Sequence, residues 1–192
     1  DLPKADAATL RAIVDKVLQA QKPIFVFGGG AKSGAAAVND VLRMTGAAAF
    51  TSYAGRGLVA PDYPLLFGSY LARPDSATVL AEADLVIVMG SELSECDIWR
   101  DDLGHDAPMI RVDVDPEILT QVRAGDMPVL GDAGAILHAM AIAIPARIED
   151  RASNNRSTAI RALSRNCSPA SVKRTGTAPL TTSAVPNHCS SD

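Results

Sequence analysis

Long apolar runs are absent from this 192-residue sequence, although 47% of its residues are hydrophobic. The two strongest runs, Ile24 to Phe27 and Leu85 to Met89, have the length of a strand, whereas a membrane-spanning helix needs about 20 residues. The first residues are polar and carry no basic stretch that leads into an apolar one, as a secretory signal would. We therefore expect no membrane contact and a cytoplasmic location.

Cysteine is also scarce. Cys96, Cys167 and Cys189 are odd in number and far apart, which argues against a disulfide framework and against a clustered zinc site. His105 and His188 have no carboxylate or cysteine at metal-binding spacing. Reduced thiols and no metal centre are the expectation.

Charge is unevenly divided along the chain. Residues 1–150 hold 12 Lys or Arg against 21 Asp or Glu, a net charge of −9, and residues 151–192 hold 6 against 1, a net charge of +5. An acidic body repels phosphate, so it is a poor platform for nucleic acid.

Apolar segments of strand length alternate with amphipathic segments of helix length. The pattern predicts strands over 24–27, 47–51, 85–89, 109–113 and 128–130 and helices over 7–20, 33–45, 75–83, 116–122 and 133–144. A loop rich in Gly and Pro runs through Tyr70. Asp6 and Asp132 are in position to cap the N-termini of helices, and Gly46 to cap a C-terminus. This alternation is typical of a three-layer, Rossmann-like α/β domain with a doubly wound parallel sheet.

The composition changes after Pro145. We interpret residues 1–145 as one domain and residues 146–163 as a possible extra basic helix. Residues 164–192 are dominated by Ser, Thr, Pro, Asn and Gly, and they contain only three large aliphatic side chains. Such a segment cannot bury enough surface to offset its ordering entropy, so it is predicted to be a linker or a disordered tail.

Glycine and polar residues follow the predicted strands at the point where each strand ends. In order along the chain they are Gly28-Gly29-Gly30, Thr51-Ser52, Gly90-Ser91, Asp113 and Gly131-Asp132. The carboxyl ends of parallel strands border the ligand crevice of an open α/β sheet, so a dinucleotide-shaped crevice is one hypothesis. Tight structural turns explain the glycines equally well, because positions 28, 30 and 33 do not match the dinucleotide fingerprint.

Six motifs, taken together and in order, resemble the central domain of acetolactate synthase, benzoylformate decarboxylase and related thiamine-diphosphate enzymes. They are Gly28-Gly29-Gly30, the segment from Ala54 to Val59, the segment from Pro64 to Gly68, the segment from Glu82 to Ser91, the segment from Ile110 to Pro116, and Gly131-Asp132-Ala133. The resemblance covers about residues 7–145. It implies a six-stranded parallel sheet placed between a pyrimidine-binding and a diphosphate-binding domain of a homo-oligomeric enzyme.

The resemblance also implies where the chemistry resides. In this family the activating glutamate and the magnesium motif that hold thiamine diphosphate belong to the two flanking domains. We therefore expect no catalytic residue, no thiamine diphosphate site and no magnesium site in this chain. The activity implied for the complete enzyme is that of a 2-oxo acid decarboxylase or an acetolactate synthase.

In flavin-binding relatives, an adenine dinucleotide lies over the central domain. The matching positions here are Gly28, Gly29, Gly30, Thr51, Gly68, Asp113, Val114, Asp132 and Ala133. The stretch after the strand 85–89 is acidic and lacks arginine, which removes the cationic partner of a pyrophosphate and disfavours FAD. Residues 91–99 look more like the non-flavin decarboxylases, including those acting on guanidino-substituted oxo acids.

Two alternatives stay open from the residues alone. One is a free-standing domain that binds FAD, NAD or ADP, such as a deacetylase or an electron-transfer flavoprotein, although the glycine opening and the zinc cysteines of a deacetylase are missing. The other is a truncated gene product. Two single residues carry structural expectations. Trp99 is predicted to anchor its loop on the core, and the alternative is that it forms an interface segment of the complete enzyme with Asp101 and Asp102. His138 is predicted to be a packed or surface histidine.

Overall fold

A computed structural model of the protein describes residues 2–144. The proposed extra helix over 146–163 and the proposed tail over 164–192 lie outside the described residues, as do Cys167, His188 and Cys189. Within the described part, no helix is long and apolar enough to cross a membrane.

Five helices and six strands make up the domain. The helices are α1 (Ala7–Gln19), α2 (Ala35–Thr45), α3 (Pro74–Ala81), α4 (Glu95–Ile98) and α5 (Ala133–Ala143). The strands are β1 (Pro23–Phe27), β2 (Ala48–Thr51), β3 (Leu66–Gly68), β4 (Leu85–Met89), β5 (Met109–Asp113) and β6 (Met127–Leu130). Two short 3-10 helices cover Gly29–Gly34 and Ile118–Thr120.

All six strands are parallel and lie in the order β3-β2-β1-β4-β5-β6. The doubly wound sheet predicted from the sequence is confirmed. The sixth strand, β3, did not emerge from the residue pattern and was implied only by the family resemblance. It has three residues, and its pairing with β2 shifts register between Ala49 and Phe50.

The sheet is buried on both faces, which gives the three layers. Side chains of β1 alternate between the faces: Phe25 and Phe27 pack under α1, α2 and α5, whereas Ile24 and Val26 pack under α3 and the β4–β5 connection. Both β1 and β4 are fully buried along their length, as their continuous apolar runs predicted.

Helix ends follow the expected chemistry at two predicted caps. The Asp6 carboxylate accepts a hydrogen bond from the Thr9 amide at 2.7 Å and begins α1. Gly46 ends α2 in the left-handed region, at φ 62°, where its amide donates to the Leu42 carbonyl. These two predictions are confirmed.

Two predicted helices were wrong in extent. The helix expected from Ser33 begins as an α-helix only at Ala35, because the preceding 3-10 helix bonds to the neighbouring strand: the Gly30 amide donates to the Gly90 carbonyl. The helix expected over 116–122 is a single 3-10 turn with no buried residue. Ile118 and Leu119 are only half-buried, so no apolar stripe supports a longer helix.

Candidate functional site

The order of the strands reverses between β1 and β4. The chain leaves β1 toward β2 and leaves β4 toward β5, so the loops after these two adjacent strands diverge and open a crevice at their carboxyl ends. A cavity of about 330 Å³ lies there, which we call the switch-point cavity. It is lined by Leu2, Gly30, Gly90, Glu92, Asp113, Val114, Asp132 and Ala133.

The structure brings five of the nine sequence-predicted site residues to this cavity, namely Gly30, Asp113, Val114, Asp132 and Ala133. Gly28, Gly29, Thr51 and Gly68 do not line it. The Thr51 hydroxyl lies 2.9 Å from the Ser69 hydroxyl, and Gly68, at φ 70°, sits against the Tyr70 ring. These two positions border the other half of the sheet edge, beyond β1.

Three lining residues were missing from the predicted set. Gly90 follows a predicted strand and Glu92 belongs to the acidic stretch after it, so the sequence contains a signal for both positions. Leu2 carried no signal, because its place at the cavity depends on a backbone contact in which the Asp132 amide donates to the Pro3 carbonyl at 2.9 Å.

The glycines after β1 and β4 pack backbone against backbone. A Cβ on Gly28 would collide with the Gly90 carbonyl, and a Cβ on Gly90 would lie 2.7 Å from the Gly30 Cα. The amides of Gly28 and Gly30 donate to the carbonyls of Met89 and Gly90, at 2.9 and 3.0 Å. These two amides therefore already have partners within the turn. This favours the interpretation of Gly28 and Gly30 as turn residues over that of a pyrophosphate-binding loop.

The carboxylates at the cavity also hold its walls in place. Asp113 is 8% exposed, and its Oδ1 accepts a hydrogen bond from the Asp115 amide at 3.0 Å. Asp132 caps α5 by accepting from the Ala135 amide at 2.6 Å, as its position predicted. Asp115 accepts from the Glu117 amide at 2.9 Å and starts the turn that follows β5. Of the lining carboxylates, Asp113 and Asp132 thus each make a hydrogen bond that serves the fold.

Negative charge dominates the switch-point cavity. Glu92, Asp113 and Asp132 line it, and the lining contains no Lys, Arg or His. A diphosphate is usually held by arginine or lysine together with backbone amides, and here the cations are missing and two glycine amides are taken. The residues present do not fit the diphosphate of FAD or ADP. They do fit the hydroxyls of a ribose, for which carboxylates are good acceptors.

Two other predicted features had different outcomes. Trp99 does not anchor its loop: its side chain is 73% exposed, and its backbone is left-handed, at φ 50°, where it ends the single turn of α4. The expectation of a packed Trp99 was wrong. His138 was predicted to be either packed or on the surface, and it is exposed on α5. Its Nε2 lies 3.3 Å from the Ser33 carbonyl oxygen.

No three His, Cys, Asp or Glu side chains within residues 2–144 come together as a metal site. His105 is buried instead beside Arg123, whose Nη2 lies 3.0 Å from His105 Nδ1. Burial lowers the pKa of His105, and the Arg123 guanidinium lowers it further. These two residues lie away from the switch-point cavity.

The structure defines a doubly wound α/β domain with a candidate ligand crevice at the carboxyl edge of the sheet. The sequence model of a protein family, the thiamine pyrophosphate enzyme central domain, matches residues 10–140, and the chain belongs to that family. The resemblance stated from six sequence motifs is thereby confirmed.

Individual relatives agree with this family. The chain is 35% identical over 143 residues to a probable 2-ketoarginine decarboxylase of Pseudomonas aeruginosa, covering 74% of this chain and 26% of that protein. It is 27% identical to an acetolactate synthase of Mycobacterium leprae, covering 67% and 21%. It therefore spans about a quarter of the length of these curated relatives.

A solved structure shares the fold. The benzoylformate decarboxylase of Polynucleobacter necessarius superposes with a TM-score of 0.63 and 16% sequence identity, over 81% of this chain and 29% of that one. The chain thus shares the fold of part of that structure.

Proposed function

We propose that this chain is the central, non-catalytic domain of a multidomain enzyme that uses thiamine diphosphate and magnesium to act on 2-oxo acids. The family match over residues 10–140 carries the proposal. In the complete enzyme, residues 1–145 pack against a pyrimidine-binding and a diphosphate-binding domain, and the enzyme forms a homo-oligomer in the cytoplasm.

A decarboxylase of the non-flavin type is the better supported member of this class. The first reason is the 35% identity to a probable 2-ketoarginine decarboxylase, against 24% to 30% for acetolactate synthases. The second is the acidic lining of the switch-point cavity, which does not suit a flavin diphosphate. The substrate is accordingly a 2-oxo acid, with a guanidino-substituted acid as the first to test.

Within that enzyme, we assign to the switch-point cavity the accommodation of an adenosine moiety. Asp113 lies at the end of β5 with one oxygen engaged by Asp115, and Asp132 lies across the same cavity. Ribose hydroxyls are donors that match these acceptors, whereas phosphates would meet three carboxylates. A free-standing FAD- or NAD-binding protein is less favoured, because the chain belongs to a family of multidomain enzymes.

The first prediction tests the division of labour between domains. We expect the purified chain, titrated calorimetrically with thiamine diphosphate and Mg²⁺, to give no saturable heat, because the proposed binding groups belong to the other two domains. A decarboxylation assay with 2-oxo-5-guanidinopentanoate and with pyruvate should show no activity above buffer. Micromolar cofactor binding or turnover by the chain alone would overturn the domain assignment.

The second prediction tests the ligand of the switch-point cavity. Adenosine should bind at least as tightly as ADP, because the added phosphates face Glu92 and the two aspartates without a cation. Asp113→Ala should weaken adenosine binding by about tenfold, the order expected for losing a charged hydrogen-bond acceptor. Asp115→Ala, two residues away and outside the cavity lining, is the matched control.

Circular dichroism should show that both variants keep their helices. Chain that copurifies with tight, yellow FAD, or ADP that binds more tightly than adenosine, would contradict the electrostatic argument. An Asp113→Ala variant that unfolds would show that this carboxylate serves mainly the fold.

A further inference from the structure

A second cavity, of about 250 Å³, lies on the opposite face of the sheet from α1, α2 and α5. We call it the crossover cavity, because it is enclosed by the β4–β5 connection, strand β5 and the residues after the second 3-10 helix. The β4–β5 connection contains only the single turn of α4, so no long helix fills the space above β5. This volume is below the range of drug-sized pockets and suits a small molecule.

One wall of the crossover cavity contains a buried cation. Arg111 is 3% exposed and projects from the middle of β5. Its Nη2 donates to the Glu92 carbonyl at 2.9 Å and its Nη1 to the Gln121 carbonyl at 3.2 Å, whereas its Nε is buried without a hydrogen-bond partner. The ion pairs found among residues 2–144 involve Lys22 and Arg123, so no carboxylate lies within 4 Å of Arg111.

Such an arrangement is costly for a folded protein. A buried guanidinium stabilises the fold only when an anion and full hydrogen bonding offset its desolvation. Burial lowers the pKa of Arg111, and the nearby Asp113 carboxylate counteracts only part of that effect. The guanidinium lacks an acceptor with negative charge. Its Nε has almost no accessible surface, so a ligand in the cavity would meet the remaining N–H bonds of Nη1 and Nη2.

The remaining walls define the rest of the ligand. Leu93, Ile98, Leu103 and Met109 supply the apolar part of the lining. Glu92, Asp101 and Asp102 also line the cavity and are exposed, so the solvent side of the lining is acidic, and Arg123 is the one exposed cation among the lining residues. A plain anion would be attracted by Arg111 and repelled at the acidic solvent side. A molecule with a carboxylate at one end and a cation at the other satisfies both.

We propose that the crossover cavity binds a small amino-acid-like molecule, with its carboxylate on Arg111, its aliphatic chain on the apolar part of the lining and a guanidinium or ammonium group at the acidic solvent side. The proposed site is on the other face of the sheet from the bulk of the switch-point cavity. Glu92 lines both cavities, and its carbonyl is the one that Arg111 holds, so the two sites share a segment.

The test measures, by calorimetric titration, how tightly the whole chain binds three probes of similar length. Arginine carries both charged ends, agmatine lacks the carboxylate and pentanoate lacks the cation. We expect arginine to bind with a millimolar dissociation constant or tighter, pentanoate to bind more weakly and agmatine to show no binding. Arg111→Met should weaken arginine binding by about tenfold or more, since a charge-assisted hydrogen bond is lost.

Two further variants keep the test decisive if Arg111→Met does not fold. Gln121→Trp leaves the backbone carbonyl in place and fills the cavity from an exposed position, so it should abolish binding. Asp101→Asn should weaken binding by about two- to threefold, as for a single exposed charge. Asp106→Asn, an exposed aspartate outside the lining, is the control and should bind arginine normally.

Several results would overturn the proposal. They are an absence of arginine binding at millimolar concentrations, equal binding of agmatine and arginine, and undiminished binding in Gln121→Trp. These outcomes are independent of the thiamine diphosphate and adenosine titrations, because no residue specific to the crossover cavity is altered there. A chain that fails as a central domain can still bind arginine, and the reverse also holds.

Discussion

The pair of His105 and Arg123 shows how a single buried residue sets a pH dependence. His105 is 6% exposed, its Nδ1 lies 2.9 Å from the Ala107 carbonyl oxygen, and a guanidinium nitrogen of Arg123 lies 3.0 Å from the same ring atom. A proton on this imidazole would add a second cation beside Arg123 inside the fold. Burial, and then Arg123, therefore lower the pKa of His105 below its ordinary value of 6.5.

We predict that this residue destabilises the protein on mild acidification. The unfolded chain takes up a proton on His105 near pH 6.5, and the folded chain does so only at lower pH, so folding excludes the proton in that window. The His105 contribution to the free energy of unfolding is complete above pH 6.5 and is lost as the pH falls through the folded pKa. Urea unfolding at pH 7.5, 6.5 and 5.5 measures it.

The matched comparison is between two histidine variants. His105→Asn should lose less stability than the wild type between pH 7.5 and 5.5, whatever its stability at neutral pH. His138→Asn, on the exposed face of α5, should show the wild-type slope. Equal slopes in all three proteins would mean that the environment of His105 does not disfavour its protonated form.

The residues alone brought together only part of the candidate site: five of the nine predicted positions line one cavity, and their role in binding stays a prediction. Asp113, the last residue of β5, and Asp132, just after β6, were predictable positions because a strand end fixes their place. Thr51 and Gly68 follow strands on the far side of β1, and strand order is not visible in a residue pattern. Arg111 was visible only as a polar residue in an apolar strand, and its missing partner required the structure.

Trp99 illustrates a different limit. A lone large aromatic residue usually packs on the core, and that expectation was wrong because the backbone turns left-handed at Trp99 and directs the indole outward. Left-handed geometry is rare for residues with a side chain, so composition gives no signal for it. Leu93, at φ 53°, is the other described residue without glycine's freedom that adopts this region.

At the scale of elements, a tight crossing between the first 3-10 helix and α5 depends on two glycines, Gly34 and Gly134. The 3-10 helix that ends at Gly34 and the first turn of α5 pack backbone to backbone at Gly134. A Cβ on Gly34 would lie 2.7 Å from the Gly134 Cα and 2.9 Å from its carbonyl oxygen. Both atoms belong to the main chain, so they cannot rotate away, and any side chain at Gly34 must separate the two elements.

We predict that Gly34→Ala lowers the free energy of unfolding by about 2 to 3 kcal/mol, the cost of overpacking a tight contact. The φ of Gly34 is −100°, which alanine tolerates, so the effect reports the crossing and not the backbone. Gly29→Ala in the same 3-10 helix is the control: its Cβ would lie 3.2 Å from the Ala54 Cβ, and we expect a loss below about 1 kcal/mol.

Thermal and chemical unfolding of the two variants decide this prediction. Equal stability of Gly34→Ala and Gly29→Ala would show that α5 moves aside at little cost. Gly34→Ala should lose stability without a change in its far-ultraviolet circular dichroism spectrum, because neither substitution removes a backbone hydrogen bond of the sheet.

Elements differed in how far the sequence specified them. The strands β1, β4 and β5 were predicted to within one residue, because they are apolar and buried along their length. The strand β3 has three residues and lies at the sheet edge within a loop rich in Gly and Pro, so it carries too few residues for a period. The family resemblance implied β3, because it concerns the topology of the whole sheet and does not depend on the residue pattern of one short strand.

At the scale of the whole molecule, the described residues 2–144 contain two hydrophobic clusters. Both draw on strands, helices and loop residues, and Ile144, at 2% exposed, is the last buried residue described. Residues 164–192 lie outside the described part, and their large aliphatic side chains are Val172, Leu180 and Val185. The composition predicts that this segment adds little to the stability of the body.

We therefore predict that removing residues 164–192 changes the melting temperature by less than about 2 °C. In a domain of this size about 1 kcal/mol corresponds to about 2 to 4 °C, and burying even one of the three aliphatic side chains would contribute about that much or more. Limited proteolysis should trim this segment first and leave a fragment that melts like the full chain. A fall of several degrees would mean that the segment packs on the domain, and single Val172→Ser, Leu180→Ser and Val185→Ser variants would then identify the side chain that docks.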